Sequence, residues 1–342
     1  MKLLSFIIPS YNCEKYLEKC LRSMLHPELL ELLDIIVVND GSKDSTQVIA
    51  QQFANDYPNT VRLINQENKG HGGALNTGCA AAVGKYLKII DADDWVETDN
   101  LPAFLRLLES CNSDVVLTHH YTRDISNGEI KQWKSYPKQF EAAYTLEQIM
   151  EAPGNFDRSL TFHGITYRTD FYQSKGLQLS EKVFYEDHEF ATFPCCFAQS
   201  VTPVDLFIYH YRIGDVEQSV SQANQLKRLS HMETVLNRLV LEYNALSLSD
   251  GGRAYFEMKA QVVLLSYMTT VLLVEPDKKK GRKLAETMIE RFRTQLVGAY
   301  NRSINQYRIF CLMNRLHISK TAWDKLLDSR LYRRIRGSHE FN

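Results

Sequence analysis

Over residues 3–90 four short apolar runs alternate with segments of helical apolar spacing, and this alternation constrains the fold more than any other feature of the chain. Leu3–Ile8, Asp34–Val38, Val61–Ile64 and Lys85–Ile90 are dominated by Ile, Val and Leu, the pattern of strands buried in a sheet. Between them, Cys13–Leu25 sets Tyr16, Leu17, Leu21 and Leu25 at helical spacing. Asp44 or Ser45 caps a second helix reaching about Tyr57, and Ala74–Val83 reads as a third. Strands that alternate with helices pair in parallel, so the expected class is α/β, a mostly parallel sheet flanked by helices on both faces.

A helix over Leu101–Glu109 and a strand over Val115–Thr118 continue the pattern, which then loosens into a polar, aromatic stretch. Order returns with a helix from Asp187 and a strand over Leu206–Tyr211. After Ser221 the chain is helical almost throughout, with breaks at Gly251-Gly252 and Pro276-Asp277. This change predicts a catalytic domain over residues 1–220, divided at 118/119, and an all-helical extension over 221–342.

The chain has 342 residues, and its 44% hydrophobic and 24% charged content is that of an ordinary globular protein. Its net charge of −1 is uneven, because from Lys278 onward there are sixteen Lys or Arg against five Asp or Glu. A basic tail on an acidic body points to a polyanion, anionic lipid before nucleic acid because no nucleic-acid motif accompanies the charge. Seven irregularly spaced cysteines without a Cys-x-x-Cys pair argue against a disulfide framework or zinc site. Pro9 and Asn12 interrupt the N-terminal apolar run too early for a signal peptide, and Val262–Val274 falls short of the ~20 residues that span a bilayer. A reducing, cytoplasmic location is expected.

The chemistry concentrates where the four runs stop. Pro9-Ser10-Tyr11-Asn12 with Glu14, Asn39-Asp40-Gly41-Ser42, Asn68-Lys69-Gly70-His71-Gly72-Gly73, and Asp91-Ala92-Asp93-Asp94 follow the successive strands. In an open parallel sheet the C-terminal strand edge is where ligands bind, so four polar turns there build one cleft. Each turn taken singly has a structural reading: helix caps for the acidic ones, a helix entry for the glycines. Crowded carboxylates also suit a divalent cation, and Mg²⁺ takes one or two of them together with phosphate oxygens. Gly-x-Gly-x-x-Gly is missing after the first strand, which argues against a dinucleotide-binding dehydrogenase. Further on, Phe184-Tyr185-Glu186-Asp187 is an acidic helix start, and Tyr209-His210-Tyr211-Arg212 precedes Ser219-Val220-Ser221.

In this order the motifs resemble those of the family 2 glycosyltransferases, over about residues 1–220. The resemblance implies a GT-A, Rossmann-like fold, a nucleoside-diphosphate sugar donor (a UDP-sugar above all), Mn²⁺ or Mg²⁺, and inversion at the anomeric carbon. It implies that residues 1–118 bind nucleotide and 119–220 face the acceptor. Pro9, Tyr11 and Glu14 would lie along the nucleotide, Asp40 at the base, and Lys69 and Gly70 beside its pocket. Asp93 matches the direct metal ligand and Asp91 a ligand nearer the ribose, with Asp94 supporting the turn. Asp187 matches the general base, assisted by Glu186. Arg212, Ser219 and Ser221 would hold diphosphate oxygens. His71, His163 and His210 stay open between site and scaffold. The acceptor would be a glycan or lipid-linked hydroxyl in surface-polysaccharide assembly, reached at the inner membrane face through the basic run Arg330–Arg336. Two rivals are a sugar-phosphate nucleotidyltransferase, for which the turn after the first strand lacks a basic triphosphate loop, and a catalytically silent membrane-docked subunit, against which the retained carboxylates argue.

Overall fold

The computed structural model describes residues 1–214 and 222–328. Ser219, Ser221 and the Arg330–Arg336 run therefore lie outside the described residues. The first four apolar runs form strands as their composition dictates. β1 (Leu4–Ser10) and β2 (Leu33–Asn39) are buried along their whole length, joined through α1 (Leu17–Met24). α2 (Thr46–Asp56) leads to β3 (Val61–Asn65), and α3 (Gly70–Ala81) to β4 (Tyr86–Ile89). β3, β2, β1 and β4 pair in parallel in that order, as expected of a crossover-connected sheet. The register sets Ser10, Asn39 and Asn65 side by side, so the turns beyond them open on one edge.

Beyond β4 the sheet becomes mixed. β5 (Trp95–Val96), α4 (Leu101–Ser110), β6 (Val115–Asp124) and β7 (Ile130–Trp133) are followed by α5 (Leu146–Glu151), β8 (Ile165–Arg168) and α6 (Thr169–Ser174). α7 (Asp187–Thr192) and β9 (Val201–Ile213) complete this unit. β8 runs antiparallel to both β4 and β6, β9 is parallel to β6, and β5 and β7 add antiparallel partners. The polar stretch after residue 118 thus hides a central strand. Ile-Thr-Tyr-Arg is too short to show a periodicity, yet Ile165 and Tyr167 are fully buried.

β6 carries a buried histidine, His119, whose ring meets Ser159 Oγ at 3.3 Å and Asp205 Oδ1 at 3.2 Å. Burial pushes its pKa down to about 4, only partly opposed by Asp205. Because the unfolded chain binds this proton more readily, the contribution of His119 is complete above about pH 6.5 and is lost as the pH falls toward 4. His119→Gln is expected to remove up to about 3 kcal/mol of that acid loss, read from denaturant midpoints at pH 7 and pH 4.5. Parallel pH dependence in both proteins would refute the assignment.

The remaining helices are α8 (Gln222–Lys227), α9 (Leu229–Ala245), α10 (Asp250–Thr269), α11 (Lys278–Gln295), α12 (Val297–Arg315) and α13 (Lys320–Asp328). The molecule divides into two compact units, Met1–Gln218 with Ser247–Phe256, and Ser219–Leu246 with Glu257–Asn342. Gly251-Gly252, expected as a break, forms the first turn of α10. A Cβ on Gly252 would stand 2.2 Å from the Cys196 carbonyl oxygen, so glycine there permits close packing rather than a turn. In the helical unit α9 buries Met232, Val235, Leu236, Leu239 and Val240, the stripe of an amphipathic helix. A π-helical turn, Thr270–Val274, extends α10, and the buried Asn314 amide donates to its Leu272 carbonyl at 2.7 Å. Asp250–Val274 is long and apolar enough to cross a membrane by length and composition, but 56% of its apolar window is buried in the protein, as in a core helix.

Candidate active site

The turns after β1, β2 and β3 are stitched to one another by side-chain hydrogen bonds. Asn12, held at φ 49°, accepts from the Lys43 backbone N–H at 2.8 Å, and Glu14 accepts from the Ser45 N–H at 2.8 Å. Buried Asp40 accepts from the Gln66 amide at 2.7 Å and the Lys69 N–H at 2.8 Å. Pro9 lies within buried β1, whereas Tyr11 is 52% exposed beside these turns. Asp40, Glu14 and the Lys69-Gly70 backbone therefore shape one rim, with the Tyr11 ring open above it.

The glycine-rich segment differs from expectation. α3 begins at Gly70, four residues before Ala74, so Gly72 and Gly73 lie within the helix rather than in a segment leading into it. Gly70 has φ +77°, and a Cβ on Gly72 would fall 2.2 Å from the Ser180 carbonyl oxygen. Close packing against residues 180–186 is thus what these glycines permit. It also sets His71 in the first turn of α3, pointing between two acidic elements. His71 Nε2 lies 2.9 Å from Asp91 Oδ1, and Nδ1 lies 2.5 Å from Glu186 Oε1.

That bridge joins sites separated by almost a hundred residues of chain. Burial opposes charge on His71, but Asp91 and Glu186 outweigh it and raise its pKa well above the usual value. The same pairing lowers Asp91 against the effect of burial. Glu186 is buried, and its Oε2 has no hydrogen-bond partner among the described residues. An unpaired buried acceptor costs about 1–3 kcal/mol, which marks a place for a ligand's donor. Tyr185, just before it, has φ 76°, a strained conformation for a bulky residue and common near functional sites. Asp187 opens α7, where the helix dipole favours a carboxylate, and its charge acts on His163 and Tyr211.

The acidic turn assigns its carboxylates different tasks. Asp94 is buried; Oδ2 accepts from Tyr209 Oη at 2.6 Å and Oδ1 from the Arg212 N–H at 2.7 Å. Burial, then Asp93 and Asp91, raise its pKa well above the carboxylate range. Asp93 is 37% exposed and faces Arg212 Nη1 at 3.8 Å. Burial and then the charge of Asp91 push it up to about 6. Asp91, Asp94 and His163 bring donor atoms within 4.8 Å of one another. Burial holds His163 down to about 4, hence neutral, the form that ligates metals. Two carboxylates set this close, with a neutral imidazole beside them, fit a hard divalent cation.

Arg212 also stacks over Tyr16, 4.3 Å from the ring centroid, and donates to its hydroxyl at 3.3 Å. His210, left open by the sequence, faces away from this carboxylate cluster. It accepts from Arg123 Nε at 3.0 Å, meets Glu97 at 3.1 Å and stacks on Trp95. His163 instead stacks on Tyr211 with centroids 4.3 Å apart, beside Phe162. Two contributors escaped the sequence reading. Tyr209 Oη is the buried donor that fixes Asp94 and also accepts from the Asp91 N–H at 3.1 Å. Lys88, fully buried, donates to the His163 carbonyl at 2.8 Å and holds that loop beneath the site. An Asp-x-Asp-Asp turn opposite an aromatic strand was the available signal for the first; a lone lysine in an apolar strand was the signal for the second.

Residues 5–170 match the family described as glycosyl transferase family 2. EpsH of Bacillus subtilis strain 168 is 31% identical over 218 residues, 61% of this chain and 60% of that protein. Glycosyltransferase GlyG of Streptococcus pneumoniae serotype 4 is 35% identical over 128 residues, 37% of this chain and 42% of that one. The chain thus spans 60% or less of the length of these curated relatives. The solved structure of S. aureus TarS residues 1–349 in complex with UDP-GlcNAc superposes with a TM-score of 0.65 and covers 93% of each chain. At 20% identity that likeness is one of fold.

Proposed function

The chain belongs to glycosyl transferase family 2, and from that premise we propose that it moves a sugar from a UDP-sugar to a hydroxyl group, with inversion at the anomeric carbon. The observation that carries the reading is the His71 bridge. It ties the carboxylate turn after β4 to the helix start bearing Asp187, so a donor-binding and a proton-accepting element face one cleft. In this reading Tyr11, Pro9, Glu14 and Asp40 line the nucleoside, with Lys69 and Gly70 closing its edge. Asp187 takes the proton of the attacking hydroxyl, and the unpaired Glu186 oxygen accepts from the acceptor sugar. Single displacement needs one such base, aligned opposite the departing diphosphate.

Asp93 and Asp91 would hold a divalent cation, Mn²⁺ or Mg²⁺, with Asp94 and His163 backing them. Such a cation supplies charge neutralisation at the diphosphate leaving group. Arg212 adds a guanidinium there, and Ser219 and Ser221 would contribute hydroxyls. The acceptor in this reading is a glycan or lipid-linked glycan of the cell surface. Docking of the basic C-terminus on an anionic inner leaflet would bring the cleft to it, at about 1 kcal/mol per basic residue.

The reading is tested by incubating the full chain with UDP-sugars, with and without Mn²⁺, and following UDP release. Slow metal-dependent hydrolysis is expected without acceptor, accelerated by glycan acceptors. Hydrolysis that ignores metal, or UTP-dependent pyrophosphate release from a sugar phosphate, would overturn it.

A further inference from the structure

In the helical unit, α12 turns an apolar and cationic face to solvent. Its inner face is fixed: Ala299, Ser303, Phe310, Met313 and Asn314 are buried, and the Gln261 amide of α10 donates to the Arg302 carbonyl at 2.9 Å. On the opposite side Ile309 and Leu312 are 47% and 57% exposed, and Leu316, the residue that ends the helix, is 62% exposed. Positions 309, 312 and 316 share one stripe of a 3.6-residue helix, so these side chains form a continuous apolar ridge. Single exposed apolar residues are ordinary, but three on one stripe make a patch. Arg302 stands on the same stripe two turns before Ile309, and Arg308 and Arg315, seven residues apart, run beside it; all three are exposed. From Arg302 to Leu316 the face is about 21 Å long.

The charge on this face is of one sign. α12 has three arginines and no Asp or Glu. The ion pairs of this unit are Arg238–Glu242, Lys280–Glu275 and Arg293–Glu290, so among the described residues none of the three α12 guanidinium groups meets a carboxylate. Glu286 on α11 is the acid whose field reaches this side, acting with Arg315 on Tyr307 and Cys311.

Chemistry separates the occupants such a face could take. A second copy of the same face would set arginine against arginine. The chain after α13 is basic as well, with four Arg against one Glu over residues 329–342, and is repelled for the same reason. A soluble polyanion would satisfy the arginines and leave the leucines in water, and an apolar protein groove would do the reverse. An anionic bilayer offers both at once, lipid phosphates at its surface and acyl chains just beneath.

We propose that the outer face of α12 is a membrane-docking surface, which lays Ile309, Leu312 and Leu316 into the headgroup region of an anionic bilayer with Arg302, Arg308 and Arg315 on lipid phosphates. This adds to the basic C-terminus a surface built on a folded helix, and it does not rest on the glycosyltransferase reading.

The test is sedimentation of the full chain with vesicles of phosphatidylcholine alone and of an equal mixture with phosphatidylglycerol. Three variants are compared with the wild type: Leu312→Gln with Leu316→Gln, Arg308→Gln with Arg315→Gln, and, in the tail, Arg333→Gln with Arg334→Gln and Arg336→Gln. The wild type is expected to bind the mixed vesicles and not phosphatidylcholine, and each α12 variant to bind them about tenfold more weakly. Thermal midpoints of the α12 variants should match the wild type, because the altered side chains are exposed. Loss of binding in the tail variant as well leaves the proposal standing, since the two contacts then act together. It is overturned if the wild type ignores the mixed vesicles, or if both α12 variants bind as the wild type does while the tail variant fails. A wild type that sediments as a dimer and becomes a monomer in Leu312→Gln with Leu316→Gln also overturns it, because a second copy then covers the ridge.

Discussion

Asp187→Asn is expected to lower the turnover of sugar transfer by about 10³-fold while UDP affinity stays within about twofold of the wild type. Asparagine keeps the shape and the position at the start of α7 but takes up no proton. The attacking hydroxyl must lose its proton as the new bond forms, and a positioned base typically contributes 10²- to 10⁴-fold. The neighbouring Glu186 is a poor substitute, because its charge is already paired with His71. Donor binding should be spared, since the hydrogen bonds that hold the nucleotide rim run among the turns after β1, β2 and β3 and do not use the Asp187 carboxylate. Single-turnover transfer and UDP titration on the same preparation separate the two effects. A variant that loses UDP affinity in proportion to turnover would make Asp187 a scaffold of the donor pocket instead of a base.

The four parallel strands and their edge were legible because each strand is a continuous apolar run ending in a turn-forming cluster. Legibility failed where pairing is remote or the element is short. β8 has four residues, and its burial depends on β4 and β6 arriving from elsewhere in the chain. His71 read as a loop residue because helix propensity placed the start of α3 at Ala74. Glycine is a poor helix former, and only the close approach of residues 180–186 accounts for it there. Its partner Glu186 is 115 residues away, a distance no local pattern reports.

His210 was a case in which the pattern held the answer. Successive strand residues face opposite sides, so Tyr209 and Tyr211 share one face, and His210 and Arg212 the other. Tyr209 and Tyr211 both contact His163, whereas His210 stacks on Trp95 and Arg212 pairs in register with Arg123. Arg212 reaches the acidic turn twice, through its backbone to Asp94 and its guanidinium toward Asp93. One strand therefore serves both His163 and Trp95, a division that follows from its period of two.

Asp93→Ala is expected to abolish the metal-dependent part of UDP binding, weakening affinity on the order of 100-fold at saturating Mn²⁺, with no change when metal is chelated. Of the carboxylates in the turn, Asp93 is the most open to solvent, 37% exposed against 27% for Asp91, and burial with the charge of Asp91 already raises it to about 6. Removing it relieves repulsion, so the ligand-free thermal midpoint should hold or rise. Asp94→Ala predicts the opposite pair of outcomes. It strands the buried Tyr209 hydroxyl and the Arg212 N–H, which costs about 1–3 kcal/mol per unpaired group, and so lowers the midpoint even in chelator. UDP titration with and without Mn²⁺, beside thermal melts in EDTA, reads both. If Asp94→Ala alone removes the metal dependence while Asp93→Ala keeps it, the cation is held by the inner group of Asp91, Asp94 and His163, and Asp93 serves only to orient Arg212.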